Sequence, residues 1–238
     1  MKTFVLIHGS WHGGWCWKDV AMKIRHLGHE VFTPTLTGLG ERNHLRNYRV
    51  DLLTHIQDVS NLINFEDLDE VVLVGHSYGG MVITGVASML PEKIAKLVYL
   101  DAFIPTAGQR EFDLLDPKEA IGKHGDFVED GIWFRPPASL EYLGIANLSE
   151  SNRIAKKLTP LPLEVYNTPC PKPENEAVFD SIPRMYIHCT KGSSAKRFAP
   201  FAEKARSYSW KVHELPTGHD AMLTVPSEVT SLIVHGDS

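Results

Sequence analysis

The segment from residue 71 to residue 90 constrains the fold of this chain more than any other part of the sequence. It begins with a fully apolar run at residues 71–74, continues with Gly-His-Ser-Tyr-Gly at residues 75–79, and ends with a helical pattern at residues 81–90. A short apolar run of this kind is typical of a strand buried on both faces of a sheet. The segment therefore predicts a buried parallel strand, a tight turn and a helix in direct succession.

The same alternation of strand and helix patterns extends along most of the chain. Strands that alternate with helices pair in parallel and carry helices on both faces of their sheet. The sequence therefore predicts an α/β fold with a mostly parallel six-stranded sheet. The remaining apolar runs lie at residues 4–7, 30–32, 94–100, 184–189 and 210–215, and the remaining helical patterns at residues 17–27, 51–63 and 221–234.

Residues 105–183 interrupt this alternation. The stretch is rich in proline and aromatic side chains, and it lacks the period-two pattern of a sheet. It is too long and too apolar for an ordinary loop. We expect a core made of residues 1–104 and 184–238, with residues 105–183 forming a cap over the C-terminal edge of the sheet. The alternative is a proline-rich excursion on the surface.

Composition limits the classes of partner and compartment. The net charge is -5, and lysine and arginine form no dense stripe, which argues against nucleic acid. No stretch approaches the roughly 18 apolar residues of a membrane span, and the N-terminus lacks the pattern of a signal peptide. The 3 cysteines are an odd number, which favours a reducing compartment and a cytoplasmic protein. The sequence leaves open whether the chain forms a homodimer.

Ser77, at the centre of residues 75–79, is the candidate nucleophile. Glycines two positions away on either side leave room for a strained turn that lifts the hydroxyl to the start of a helix. Acyl transfer also needs two backbone N–H groups aimed at the developing oxyanion. The residue after the nucleophile, Tyr78, and Ser10 in the loop at residues 8–14 are the candidate donors. The alternatives are a serine that only caps a helix and a loop that is only a tight turn.

His219 is the candidate base, because it follows the last predicted strand and opens the last predicted helix. The acid is harder to place, since the loop at residues 190–195 contains no carboxylate. Asp220 is adjacent to His219, so its side chain diverges too far to orient the imidazole. Asp101 ends the strand after the nucleophile helix and can reach the imidazole from a neighbouring strand. The alternative role for Asp101 is to cap the following turn.

Four motifs give the chain a specific resemblance to known enzymes. They are HGSWHGGW at residues 8–15, TLTGLGER at 35–42, GHSYGG at 75–80 and GHDAM at 218–222. These residues resemble a compact group of α/β-hydrolases that contains plant methylesterases, hydroxynitrile lyases, bacterial aryl esterases and pyrethroid hydrolases. The motif at residues 35–42 resembles the bacterial branch. The resemblance covers nearly the whole chain and is weakest in the cap.

The resemblance implies an α/β-hydrolase fold and esterase chemistry without a cofactor or metal. Carried over to this sequence, Ser77 is the nucleophile, His219 the base, and Ser10 and Tyr78 the oxyanion donors. The plant members place an aspartate in the loop after the strand that matches residues 184–189, and this chain has none there. That departure again points to Asp101 as the acid.

The resemblance and the cap aromatics together predict a small-molecule substrate, namely an apolar carboxylic ester such as an aryl ester. The predicted pocket residues are Trp11, Trp133, Phe134 and Tyr142, although such aromatics can instead pack the cap onto the core.

Three rival functions differ in the residues they need. A hydroxynitrile lyase of this group has a lysine after the catalytic histidine, where Asp220 stands here. A dehalogenase needs an aspartate in place of Ser77. A ligand receptor on a hydrolase fold remains an alternative, because no acid occupies its usual place.

Overall fold

The fold is described from a computed structural model that covers residues 1–46, 49–115 and 125–236. Within these described residues, nine strands form two sheets, and helices surround the larger one. The strands are β1 (Thr3–Ile7), β2 (Glu30–Phe32), β3 (Val71–His76), β4 (Ile94–Leu100), β5 (Phe127–Glu129), β6 (Ile132–Arg135), β7 (Leu161–Pro162), β8 (Arg184–Cys189) and β9 (Lys211–Leu215). The helices are α1 (Lys18–His26), α2 (Leu52–Phe65), α3 (Gly79–Met89), α4 (Leu140–Leu143), α5 (Ser151–Ala155), α6 (Glu164–Asn167), α7 (Glu176–Ser181), α8 (Ala195–Ser207), α9 (Ala221–Thr224) and α10 (Pro226–His235).

The larger sheet has six strands in the order β2-β1-β3-β4-β8-β9, and every neighbouring pair is parallel. This confirms the predicted sheet. Successive side chains of a strand point to opposite faces, and each face of this sheet carries its own core. Val5 and Ile7 of β1 pack with α2, α3 and α8, whereas Phe4 and Leu6 pack with α1 and α10.

The strand register aligns the carboxyl ends of the three central strands. His76 at the end of β3 pairs with Leu100 at the end of β4, and Leu100 pairs with Ile187 in β8. Residues that follow these positions must therefore meet at one edge of the sheet, where ligand sites of open α/β sheets lie.

The end of the chain differs from the single helix predicted at residues 221–234. Two helices, α9 and α10, are separated at Val225, which has an extended φ of -139°. Pro226 is the cause, because the ring of a proline disfavours the helical conformation of the residue before it and cannot donate a backbone hydrogen bond.

The described residues between β4 and β8, which we call the cap, contain a second sheet that the sequence pattern did not predict. Its strands run antiparallel in the order β5-β6-β7. Asp130 and Gly131 join β5 to β6 with φ values of 51° and 78°, and two successive positive φ values suit a tight hairpin turn. With only 2 to 4 residues each, these strands are too short to show a period-two pattern.

The cap contacts the core loop that follows β1. The Thr159 N–H donates to the Trp11 carbonyl over 2.9 Å. None of the helices in the described part of the chain combines the length and apolar character needed to cross a membrane.

Candidate active site

Ser77 occupies a tight turn between β3 and α3. Its φ of 54° lies in the left-handed region, which a serine adopts only where the surrounding structure holds it. A Cβ atom at Gly75 would lie 2.5 Å from the Gly79 carbonyl oxygen, and one at Gly79 would lie 2.9 Å from the Ile7 carbonyl oxygen. Both glycines therefore permit the close packing that the sequence predicted around this turn.

The loop after β1 packs directly against Ser77. A Cβ atom at Gly9 would lie 2.8 Å from Ser77 Cβ, so only glycine lets the backbone pass so close. Ser10 and Trp11 come next, and both line the same cavity as Ser77. Trp11 has a φ of 68°, a second left-handed residue beside the nucleophile candidate. The structure thus brings Ser10 and Ser77 together, as predicted.

Tyr78 is anchored in the core by its phenol. The His55 Nε2–H donates to the Thr37 carbonyl over 2.9 Å, which leaves His55 Nδ1 to accept from the Tyr78 hydroxyl over 2.8 Å. Burial lowers the pKa of His55, and the neutral imidazole fits this arrangement. Because its phenol is bonded to His55 and its side chain does not line the cavity beside Ser77, the main-chain N–H is the group that Tyr78 can offer to the site.

Asp101 and His219 are joined by a short hydrogen bond. The His219 Nδ1–H donates to Asp101 Oδ2 over 2.7 Å, and the carboxylate is completely buried. Since Nδ1 carries this proton, the Nε2 of a neutral His219 is unprotonated and can take a proton from a hydroxyl. The predicted acid candidate therefore contacts the predicted base.

The other oxygen of Asp101 accepts two hydrogen bonds from β8. The His188 Nδ1–H donates over 3.2 Å and the Cys189 N–H over 3.0 Å. Burial raises the pKa of Asp101, but the hydrogen bonds from His188 and His219 outweigh it and hold that pKa below its ordinary value. His188 is not among the residues predicted from the sequence, although a histidine at the carboxyl end of a buried strand was a detectable signal.

The ring of His219 lies among side chains of the cavity wall. Phe198 stacks on it with the ring centroids 4.7 Å apart, and Tyr142 lies 5.9 Å away. Phe198 and Tyr142 line the cavity that Ser77 also lines. His219 itself is buried, and these two ring contacts connect it to the wall of the cavity that Ser77 lines.

Asp220 pairs with His12, with 3.0 Å between Oδ2 and Nε2. This agrees with the prediction that Asp220 does not orient the imidazole. His76, His219 and Asp220 bring potential metal-ligating atoms within 4.8 Å of one another. The His76 Nε2–H donates to the His219 carbonyl and Asp220 Oδ2 accepts from His12, whereas His76 Nδ1 and Asp220 Oδ1 have no hydrogen-bond partner among the described residues.

The cavity beside Ser77 has a volume of about 350 Å³. Trp11 and Tyr142 line it as predicted, but Trp133 and Phe134 do not. Phe134 points to the opposite face of β6 and stacks on Phe127. Trp133 is 47% exposed. The structure places neither of these two predicted residues in the cavity wall, and composition alone could not show which way each side chain of a cap strand points.

Polar side chains of the cap and of α8 also line the cavity. Four residues that were not predicted from the sequence lie in the wall of the cavity: Glu111, Arg135, Tyr166 and Arg197. The Arg135 guanidinium donates to both oxygens of Asp126, over 2.9 and 3.0 Å. The cavity is therefore aromatic and charged rather than uniformly apolar.

The hydrogen bonds to Asp101 predict a pH-dependent contribution to stability. A carboxyl whose folded pKa lies below its unfolded value of 3.8 stabilises the fold above that value, and the effect is lost as the pH falls through the folded pKa. Asp101→Asn should reduce the free energy of unfolding at pH 7 by about 1–3 kcal/mol, and the deficit should shrink below pH 4. Urea unfolding at several pH values measures both. Asp67→Asn, at an exposed position, is the control. An unchanged deficit at low pH would contradict the charged network.

Comparison with known proteins places this geometry in a family. The model of the alpha/beta hydrolase family matches residues 4–232. A carbendazim hydrolyzing esterase from Nocardioides sp. (strain SG-4G) is 38% identical, over 96% of this chain and 97% of that protein. Methylesterase 17 of Arabidopsis thaliana is 27% identical, over 97% of this chain and 90% of that protein.

Solved structures share the architecture. An extracellular alpha/beta-hydrolase from a Paenibacillus species, described as sharing structural and functional homology with tobacco salicylic acid binding protein 2, has a TM-score of 0.74 at 26% identity, covering 98% of both chains. Polyneuridine aldehyde esterase has a TM-score of 0.82 at 20% identity, covering 100% of both chains. Together with the family match, these likenesses show that the chain belongs to the alpha/beta hydrolase family.

Proposed function

We propose that this enzyme hydrolyses carboxylic esters through an acyl-enzyme intermediate on Ser77, with His219 as base and Asp101 as acid. The observation that carries the proposal is the 2.7 Å hydrogen bond between His219 and the buried Asp101. It lies at the edge of the sheet where Ser77, in a left-handed conformation, lines the cavity. This arrangement supplies a nucleophile, a base and an orienting carboxylate.

The reaction follows from these positions in two steps. His219 Nε2 removes the proton from the Ser77 hydroxyl as Oγ bonds to the ester carbonyl carbon. The oxyanion then accepts from the backbone N–H groups of Ser10 and Tyr78. His219 returns the proton to the departing alcohol, and water repeats the sequence to release the acid. Asp101 stabilises the imidazolium that forms in each step.

Kinetics of three variants test the assigned roles. Hydrolysis of p-nitrophenyl acetate should fall by about 10³-fold or more in Ser77→Ala. Asp101→Asn should lower kcat by about 10³–10⁴-fold, because an amide favours the wrong tautomer of the imidazole. His219→Gln should fall comparably, and exposed Asp67→Asn should behave as wild type.

Outcomes of this series separate the alternatives. Near-normal kcat in Asp101→Asn with low activity in Ser77→Ala would move the acid role to another group. No turnover by the folded wild type would overturn the esterase assignment and favour the ligand-receptor alternative.

For the substrate, we propose compact aryl or small-alkyl esters. The cavity is small and walled by Trp11, Phe198 and Tyr142, which suits an aromatic group. One relative is named for hydrolysing carbendazim and others are named methylesterases, so carbendazim and methyl esters belong in the substrate panel. The charged wall of Glu111, Arg135 and Arg197 favours substrates that carry a polar substituent.

A series of p-nitrophenyl esters tests the size limit. kcat/KM should be highest for acetate or butyrate and lower by about 10-fold or more for dodecanoate, because overfilling a packed cavity costs about 1–3 kcal/mol. Trp11→Ala should reduce that difference by opening the wall. A rate that rises steadily with chain length would contradict a compact cavity.

A cytoplasmic location completes the proposal. Cys16, Cys170 and Cys189 are all free and buried. Free thiols are typical of a reducing compartment.

A further inference from the structure

The buried pair of His12 and Asp220 joins the two loops that carry the proposed oxyanion donor and the proposed base. His12 lies in the loop after β1, two residues beyond Ser10, and Asp220 directly follows His219. Their side chains are 1% and 0% exposed, with His12 Nε2 3.0 Å from Asp220 Oδ2. Neither residue lines the cavity, so any role in catalysis must act through their neighbours.

Both ring nitrogens of His12 face oxygens that can only accept a hydrogen bond. Nδ1 lies 2.7 Å from the Ser10 carbonyl oxygen, and Nε2 faces the Asp220 carboxylate. A neutral imidazole has a single N–H, so it satisfies one of these contacts and places a lone pair against the other acceptor. With the Asp220 carboxyl ionised, only the doubly protonated imidazolium donates to both oxygens.

The surroundings favour the charged pair. Burial lowers the pKa of His12, but the Asp220 charge and its hydrogen bond raise it to a net value above the ordinary one. Burial likewise raises the pKa of Asp220, and His12 outweighs that effect. The second oxygen, Asp220 Oδ1, has no hydrogen-bond partner among the described residues, so the carboxylate depends on His12 for compensation.

The His12 N–H holds a strained part of the backbone. The Ser10 carbonyl belongs to the peptide that leads into Trp11, whose φ is 68°. The cap binds the next carbonyl, that of Trp11, through the Thr159 N–H over 2.9 Å. Loss of the His12 contact would free the peptide group between Ser10 and Trp11. Trp11 could then relax from the left-handed region, and the backbone of Ser10 could rotate with it. The Ser10 N–H would then lose its fixed direction.

We propose that His12 and Asp220 are positioning residues that hold the Ser10 oxyanion loop in place only while His12 is protonated. The inference rests on the proposed esterase mechanism. When His12 loses a proton, the Asp220 carboxylate retains the remaining N–H on Nε2, and Nδ1 presents a lone pair to the Ser10 carbonyl. The loop is then repelled from its position beside Ser77, and kcat falls at alkaline pH. The sign follows from the raised pKa, since the contact is intact below that pKa and lost above it.

Several other titratable groups lie around the pair. His8 and His76 have pKa values lowered to about 3 by burial, so both stay neutral. Burial raises the pKa of the Cys16 and Cys189 thiols well above their ordinary range. The described groups that interact electrostatically with the pair from the neighbouring elements include His8, Cys16, His76, Cys189 and His219.

The test compares pH profiles of kcat for wild type, Asp220→Asn and His12→Gln, using phenyl acetate in a pH-stat. With Asp220→Asn, neutral His12 can keep Nδ1–H on Ser10 while Nε2 accepts from the new amide. The alkaline decline of wild type should therefore disappear in this variant, relative to its own maximum. In His12→Gln, the amide group can donate to the Ser10 carbonyl or to Asp220 but not to both. The kcat of this variant should therefore be about 10–100-fold below that of the wild type at all pH values, while its KM stays within about two-fold of the wild-type KM.

Two controls exclude a loss of structure. Circular dichroism at each pH checks folding, and His26→Gln, at an exposed histidine in α1, should keep the wild-type profile. If His12→Gln fails to fold, Asp220→Asn still decides the question. An identical alkaline decline in wild type and Asp220→Asn overturns the proposal.

The charge state can be measured without turnover. Side-chain ¹⁵N NMR of the wild type at pH 7 should show both ring nitrogens of His12 protonated, with the signal assigned by its absence in His12→Gln. A neutral His12 at pH 7 overturns the proposal even in an active enzyme. An inactive wild type with a protonated His12 would instead contradict the esterase mechanism and leave the charged pair standing.

Discussion

A carboxylate with no exposure to water must receive hydrogen bonds from the protein, and Asp101 receives them from three directions. It lies at the end of β4, accepts from His188 and Cys189 of β8, and accepts from His219 after β9. The three donors can converge only because the parallel register brings these strand ends to one level. The site and the sheet therefore depend on the same contacts, and a shift in register would leave a buried charge without its partners.

Close backbone approach is the second constraint. Gly9, Gly75 and Gly79 each lie where a Cβ atom would be less than 3.0 Å from another atom of the site. These contacts hold Ser77 in a left-handed conformation beside the loop of Ser10. The catalytic geometry is thus imposed by packed backbone, and the buried pair of His12 and Asp220 adds an electrostatic link between the same loops.

The position of a residue in the fold can be predicted from the sequence where local pattern and strand position determine it. Ser77 and His219 could be placed because a strand, a turn and a helix are visible around each of them. Asp101 could be predicted only by excluding other candidates, since the loop directly after β8 contains no carboxylate. The structure puts Asp101 in contact with His219. The cavity wall could not be predicted in this way. Whether Trp133 or Arg135 meets the substrate depends on how the cap docks, which is a long-range contact that no local period records. The interruption between α9 and α10 at Val225 could have been predicted from Pro226, because a proline disfavours a helical conformation of the residue before it.

Covalent labelling tests the central claim most directly. A fluorophosphonate bonds its phosphorus to an activated serine oxygen as fluoride departs, so it reports nucleophile and base together. Intact mass spectrometry of the wild type should show one adduct per chain, and peptide mapping should place it on Ser77. Ser77→Ala should remain unlabelled, and His219→Gln should label far more slowly. Labelling of another serine, or an equal rate in His219→Gln, would contradict the account.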